Sequence, residues 1–113
     1  MKAINKSRNI ILADDCRVAL GALKRAKGLL GRKGMGKSEA LVLKPCNSVH
    51  SFFMRFAIDL LFIDKNSRVV RIIKEFKPFR ISPICFRAAY VIEFPSGAIR
   101  PESVQPGDTI SIE

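Results

Sequence analysis

The stretch Cys46–Asp64, CNSVHSFFMRFAIDLLFID, decides how the rest of the chain is read. It ends in Ile58–Ile63, the most apolar run of the sequence. Apolar residues at successive positions suit a strand buried on both faces. Lys65-Asn66-Ser67 then supplies a turn, and Arg68–Glu75 returns as the second arm of a hairpin. The same stretch carries the only histidine of the chain, His50, together with the carboxylates Asp59 and Asp64. Core and candidate site are therefore expected side by side.

Working outward, short strands recur at close spacing. Met1–Asp15 reads as one or two strands with Ile10, Ile11 and Leu12 as the buried part, and Asp14-Asp15 as a turn or helix start. From Cys16 to Leu30 the apolar residues Val18, Leu20, Leu23, Ala26, Leu29 and Leu30 fall at mixed three-and-four spacing. That pattern predicts an amphipathic helix with Lys24, Arg25 and Lys27 on its wet side, weakened at Gly21 and ended by Gly28 and Gly31. Gly31–Glu39 is a glycine-rich basic loop, Ala40–Lys44 a short strand closed by Pro45, and Ser48–Arg55 a candidate strand. Phe76–Pro83 holds two prolines and suits an irregular crossing or edge segment. Ala88–Phe94 is a strand broken by Pro95-Ser96-Gly97, Ala98–Val104 has room for one helical turn, and Pro106-Gly107-Asp108 turns into a last strand, Thr109–Ile112. The expected fold class is mainly β, α+β at the margin: a small jelly-roll-like β-barrel or sandwich with one short N-terminal helix.

At 113 residues, 48% of them hydrophobic, the chain is expected to form a single domain over 1–113 with an ordinary core. Twenty Lys and Arg against ten Asp and Glu give a net charge of +10. Such a field attracts nucleic acid, anionic membranes or acidic partners without specifying a fold. Three cysteines, Cys16, Cys46 and Cys85, are too few and too far apart for a disulfide framework. The N-terminus lacks the apolar core of a secretory signal, and no apolar run is long enough to span a bilayer, so a cytoplasmic location is expected.

Three blocks of the sequence resemble a bacterial and archaeal family known as domain of unknown function 192. Lys27-Gly28-Leu29-Leu30-Gly31-Arg32 is similar to that family's GLLGR element. Asn47–Asp64 resembles its V-H-T/S-F-x-M-x-x-x-I-D-x-x-F-x-D pattern, and Tyr90–Gly97, YVIEFPSG, resembles its VLELPAG segment, followed by Pro106-Gly107-Asp108. Phe94 and Ser96 depart from Leu and Ala there, and the loop Gly34–Lys37 is more basic than usual. The resemblance implies a compact mainly-β, jelly-roll-like domain. It assigns no activity and no residue roles.

The candidate site is a ligand-binding pocket lined by His50, Phe52, Met54, Arg55 and Asp59, with Glu93 near it. Were Ser48–Arg55 extended, Ser48, His50, Phe52 and Met54 would share a face. Asp59 heads a buried strand, where an unpaired carboxylate is costly, so His50, Arg55 or backbone N–H groups are its candidate partners. Two readings follow: a grip for a small polar ligand or peptide, or a structural fastening of two strands by His50 and Asp59. No metal and no cofactor is expected. Cys46 and His50 are four apart, a spacing that converges on a helix and not on a strand, and one histidine is too few for an ordinary zinc site. No nucleophile motif accompanies Cys46 or Cys85, and Asp59 and Asp64 fall on opposite strand faces. The glycine-rich loop lacks the phosphate-cradle spacing and follows a predicted helix, though Arg32, Lys33 and Lys37 offer weak anion contacts. A non-enzymatic binding or accessory module is thus the leading function. A second is nucleic-acid or anionic-polymer binding by Arg68, Arg71, Lys74, Lys77, Arg80 and Arg87 with Phe76, Phe79 and Phe86 interleaved. A hydrolase-like enzyme using His50 with a carboxylate is the weaker third.

Overall fold

A computed structural model describes residues 1–21 and 31–113. Among them are eight strands: β1 (Ala3–Asn5), β2 (Ile10–Ala13), β3 (Asp15–Leu20), β4 (Glu39–Lys44), β5 (Ile58–Asp64), β6 (Val69–Phe76), β7 (Ala88–Pro95) and β8 (Ile110–Ile112). The protein is mainly β. Three strands form one sheet in the order β2-β1-β8, and five form the other in the order β3-β4-β7-β5-β6.

The apolar run of β5 lies inside the larger sheet, between β7 and β6, both antiparallel to it. Ile58 through Ile63 are each fully buried because both faces of this strand are covered. Leu61, Ile63, Ile92 and Phe94 face the three-stranded sheet, packing with Ala3, Ala13 and Ile110. Ile58, Leu60, Phe62 and Val91 face the other way, onto Val49, Met54 and Phe76. Burying each such side chain contributes roughly 1.5–3 kcal/mol relative to leaving it in water. The continuous hydrophobicity of β5 is thus the signature of a sheet sandwiched between two layers.

The hairpin from β5 to β6 closes as the sequence indicates. Asp64 accepts the backbone N–H groups of Asn66 at 2.9 Å and Arg68 at 3.0 Å, which fastens the turn. These bonds hold the Asp64 carboxyl below its ordinary range.

Three expectations are corrected. The helix over Cys16–Leu30 is not formed in its first part: Asp15–Leu20 is strand β3, parallel to β4 in register Cys16↔Ala40 and Leu20↔Lys44. Here Cys16 and Val18 alternate with exposed Arg17, a pattern that a strand satisfies as well as a helix, and pairing to β4 decides between them. The remainder of that helix lies outside the described residues. Ile11 is 56% exposed because the ladder to β1 is irregular here: Ala13 pairs with inward Ala3 while Ile11 pairs with Ile4, so the two do not share a face. Ser48–Arg55 is not a continuous strand; only His50 makes a bridge, to Ile81, and Phe53 has φ 65°. Arg100–Val104 makes one hydrogen-bonded turn, with Val104 N–H donating to the Arg100 carbonyl at 3.1 Å.

Candidate functional site

Two crossing segments form the outer layer over the larger sheet. Asn47–Ser51 runs antiparallel to Phe79–Cys85: Ser51 N–H donates to Arg80 C=O, Ser82 N–H to Val49 C=O, and Cys85 N–H to Asn47 C=O. Buried serines hold this ribbon down. Ser51 Oγ donates to Lys77 C=O at 2.6 Å and accepts Arg80 N–H at 3.0 Å. Ser82 Oγ accepts Val49 N–H at 2.9 Å. Val49, Ser51 and Ser82 point inward, so the alternate residues His50 and Ile81 point out.

The outer face of the ribbon is apolar and cationic at once. Phe53 is 75% exposed, Phe79 62%, Ile81 65% and Phe86 87%, well beyond the scattered apolar exposure of an ordinary surface. Phe53 and Phe79 meet edge to face with centroids 6.0 Å apart, and His50 stacks on Phe52 at 5.6 Å. Arg55, Lys77, Arg80 and Arg87 are exposed around these rings. Neither Cys46–Arg55 nor Lys77–Arg87 contains an acidic residue.

The six residues named from the sequence do not share one cavity. His50, Phe52 and Arg55 are on this exposed ribbon, and Met54 is buried beneath it. Asp59 lies on the opposite face of the five-stranded sheet: its neighbour in register is Phe94, which packs toward the three-stranded sheet. Its carboxylate is fully buried and accepts three backbone N–H groups, from Glu75 at 2.9 Å, Gly97 at 3.0 Å and Ile99 at 3.1 Å. Backbone, not His50 or Arg55, is the partner of Asp59. Glu93 sits between Leu41 of β4 and Leu60 of β5, on the ribbon side of the sheet. It is 3% exposed, and burial alone pushes its carboxyl up to about 8. It is therefore a neutral acid at pH 7.

Of the residues proposed for nucleic-acid contact, Phe76 is buried in the core while Phe79 and Phe86 stand in solvent. Sequence reasoning missed Phe53, Ile81 and Ile84 as surface residues. The signal that marks them is the absence of carboxylates from two segments rich in rings and cations. Elsewhere, Arg32 forms a two-pronged ion pair with Glu39, with the second N–O contact at 2.8 Å. That pair holds the Glu39 carboxyl down at about 2 and occupies one of the cations of the glycine-rich loop. No group of three or more His, Cys, Asp or Glu among the described residues is arranged to hold a metal ion. No helix of the described residues is long and apolar enough to cross a membrane.

Residues 3–112 match the model of the DUF192 family, an uncharacterized ACR. UPF0127 protein PH1112 of Pyrococcus horikoshii is 37% identical over 114 residues, covering 95% of this chain and 95% of that protein. UPF0127 protein TK1120 of Thermococcus kodakarensis is 34% identical over 112 residues, covering 96% of this chain and 71% of that protein. Among solved structures, a protein of unknown function from Novosphingobium aromaticivorans superposes with a TM-score of 0.83 at 20% identity, over 98% of this chain and 82% of its own. A likeness at that identity establishes the fold alone. The chain belongs to the DUF192 family.

Proposed function

We propose that the protein is a binding module that takes a peptide segment of an acidic partner on the outer face of the ribbon. The observation that supports this reading is the exposure of Phe53, Phe79 and Ile81 on two segments that carry Arg55, Lys77 and Arg80 and no acidic residue. Aromatic and arginine residues are the side chains that dominate the centres of protein interfaces. The exposed isoleucines favour apolar side chains as counterparts over nucleobases, since an aliphatic chain offers no stacking face. Acidic residues flanking those anchors would be drawn in by the positive field and would fix register. His50 and Phe52 form the rim of this surface, and Arg55 and Arg80 are its charge-pairing groups. Catalysis is no part of the reading, because His50 has no carboxylate beside it on the ribbon.

The test is fluorescence anisotropy with a labelled peptide that alternates Leu and Phe with Asp and Glu, run beside a labelled single-stranded oligonucleotide. Saturable peptide binding that Phe79→Ser weakens by roughly tenfold or more is the expected result. Tighter binding of the oligonucleotide, lost in the same variant, replaces the peptide reading with the nucleic-acid one. Binding of neither probe at low salt ends both.

A further inference from the structure

A second, separate feature lies at the open seam between the two sheets. At this end β3 is the edge of the larger sheet and β8 the edge of the smaller one, and no hydrogen bond joins them. Between them is a cleft of about 580 Å³, within the range of small-molecule sites. Its floor is Val18 and Val42, neighbours in register, and its far wall is Ile110 and Ile112. The next row outward is Leu20, Lys44 and Tyr90. Leu20 pairs with Lys44, and Lys44 and Tyr90 follow directly on the last β4–β7 pair, Leu43 with Val91. Leu20 is 59% exposed at this rim, an aliphatic side chain left in water beside an apolar cleft.

The rim also holds a fixed positive charge. The Lys44 ammonium stands 5.4 Å above the centre of the Tyr90 ring, a cation–π placement that keeps it over the mouth of the cleft. Among the described residues, no carboxylate pairs with Lys44. Ser67 and Thr109 line the cleft beside Tyr90 and make that corner polar. The one carboxylate that bears on Tyr90, Asp64, is committed to the N–H groups of its own turn. The lining is therefore apolar in depth and cationic at the mouth.

We propose that this seam is a binding site for a small anionic amphiphile, a carboxylate head with an unbranched apolar tail. The head pairs with Lys44 at the rim, and the tail lies between the sheets against Val18, Val42 and Ile112. A neutral apolar molecule would leave the Lys44 charge unmatched, and a small polar anion would leave the apolar walls wet. This site shares no residue with the ribbon and does not depend on the peptide reading.

Sodium decanoate, titrated calorimetrically into the full chain below its micelle concentration, is the probe. The expected result is saturable one-to-one binding that Lys44→Gln weakens roughly tenfold or more, the worth of a charge-assisted hydrogen bond. Decanol is expected to bind the wild type more weakly by a similar factor, since it presents the same tail without the charge. Val18→Phe, which fills the floor, is expected to abolish binding, with the circular dichroism spectrum checking that each variant is folded. Absence of saturable binding overturns the proposal, as does wild-type affinity in Lys44→Gln. Loss of decanoate binding in Phe79→Ser, with Lys44→Gln unaffected, moves the ligand to the ribbon and equally overturns it.

Discussion

The Asp59 carboxylate accepts the backbone N–H of Gly97 at 3.0 Å, joining the start of β5 to the turn that follows β7 across 38 residues of sequence. Gly97 has φ 88°, a left-handed conformation that turns its N–H, together with that of Ile99, onto one carboxylate oxygen. The other oxygen takes the N–H of Glu75 at the end of β6. One buried acid thus satisfies three donors from two strand ends. A buried carboxyl group without an ionic partner is tolerable in the core because its lone pairs are filled by fixed dipoles.

Asp59→Ala takes the acceptor from all three N–H groups, that of buried Ile99 among them, and leaves a void where the carboxyl stood. The expected loss is roughly 3–5 kcal/mol of folding free energy. Asp59→Asn retains one acceptor oxygen and is expected to lose less, about 1–3 kcal/mol. Urea denaturation measures both. A variant as stable as wild type would show that other groups or water satisfy these donors.

Glu93 gives a pH dependence of opposite sign to that of an ordinary paired carboxylate. Its folded value, about 8, lies above the 4.5 of the free side chain, so the unfolded chain releases its proton first. The contribution of Glu93 to stability is therefore whole below about pH 4.5 and declines as pH rises through 8. Glu93→Gln removes that decline. Relative to wild type, the variant is expected to gain stability as pH rises between these limits, by about 1.4 kcal/mol for each pH unit. Thermal unfolding midpoints of the two proteins, compared at acidic and mildly alkaline pH, test it. Parallel curves would mean that Glu93 is ionised in the fold.

Phe53 holds φ 65° while 75% of its surface is exposed. A phenyl side chain in the left-handed region is unfavourable by roughly 1–2 kcal/mol, and asparagine tolerates it better. Phe53→Asn is expected to keep or slightly raise the denaturation midpoint while weakening peptide binding by the ribbon. A clear fall in stability would place Phe53 among the residues that hold the ribbon together.

Much of the core was legible in the chain alone. The run Ile58–Ile63 announces a strand buried on both faces, and the turn Lys65-Asn66-Ser67 and the return arm follow from local chemistry. Those features depend on neighbouring residues, so a linear reading reaches them. Cys16–Leu20 shows the limit: its apolar spacing suits helix or strand, and only the distant partner β4 selects the strand.

The candidate site divides on the same ground. Sequence alone determined that His50, Phe52 and Arg55 sit close together, that Asp59 is costly to bury unpaired, and that cations outnumber acids. Only the tertiary structure decided that the five-stranded sheet stands between His50 and Asp59, which removes them from a common cavity. It also decided that Phe79 and Phe53 meet in solvent, and that Lys44 overhangs Tyr90 at an open seam. Which face of a sheet a side chain takes depends on register and on what covers that face. Both are set by strands far apart in sequence, and neither is written in the local pattern of residues.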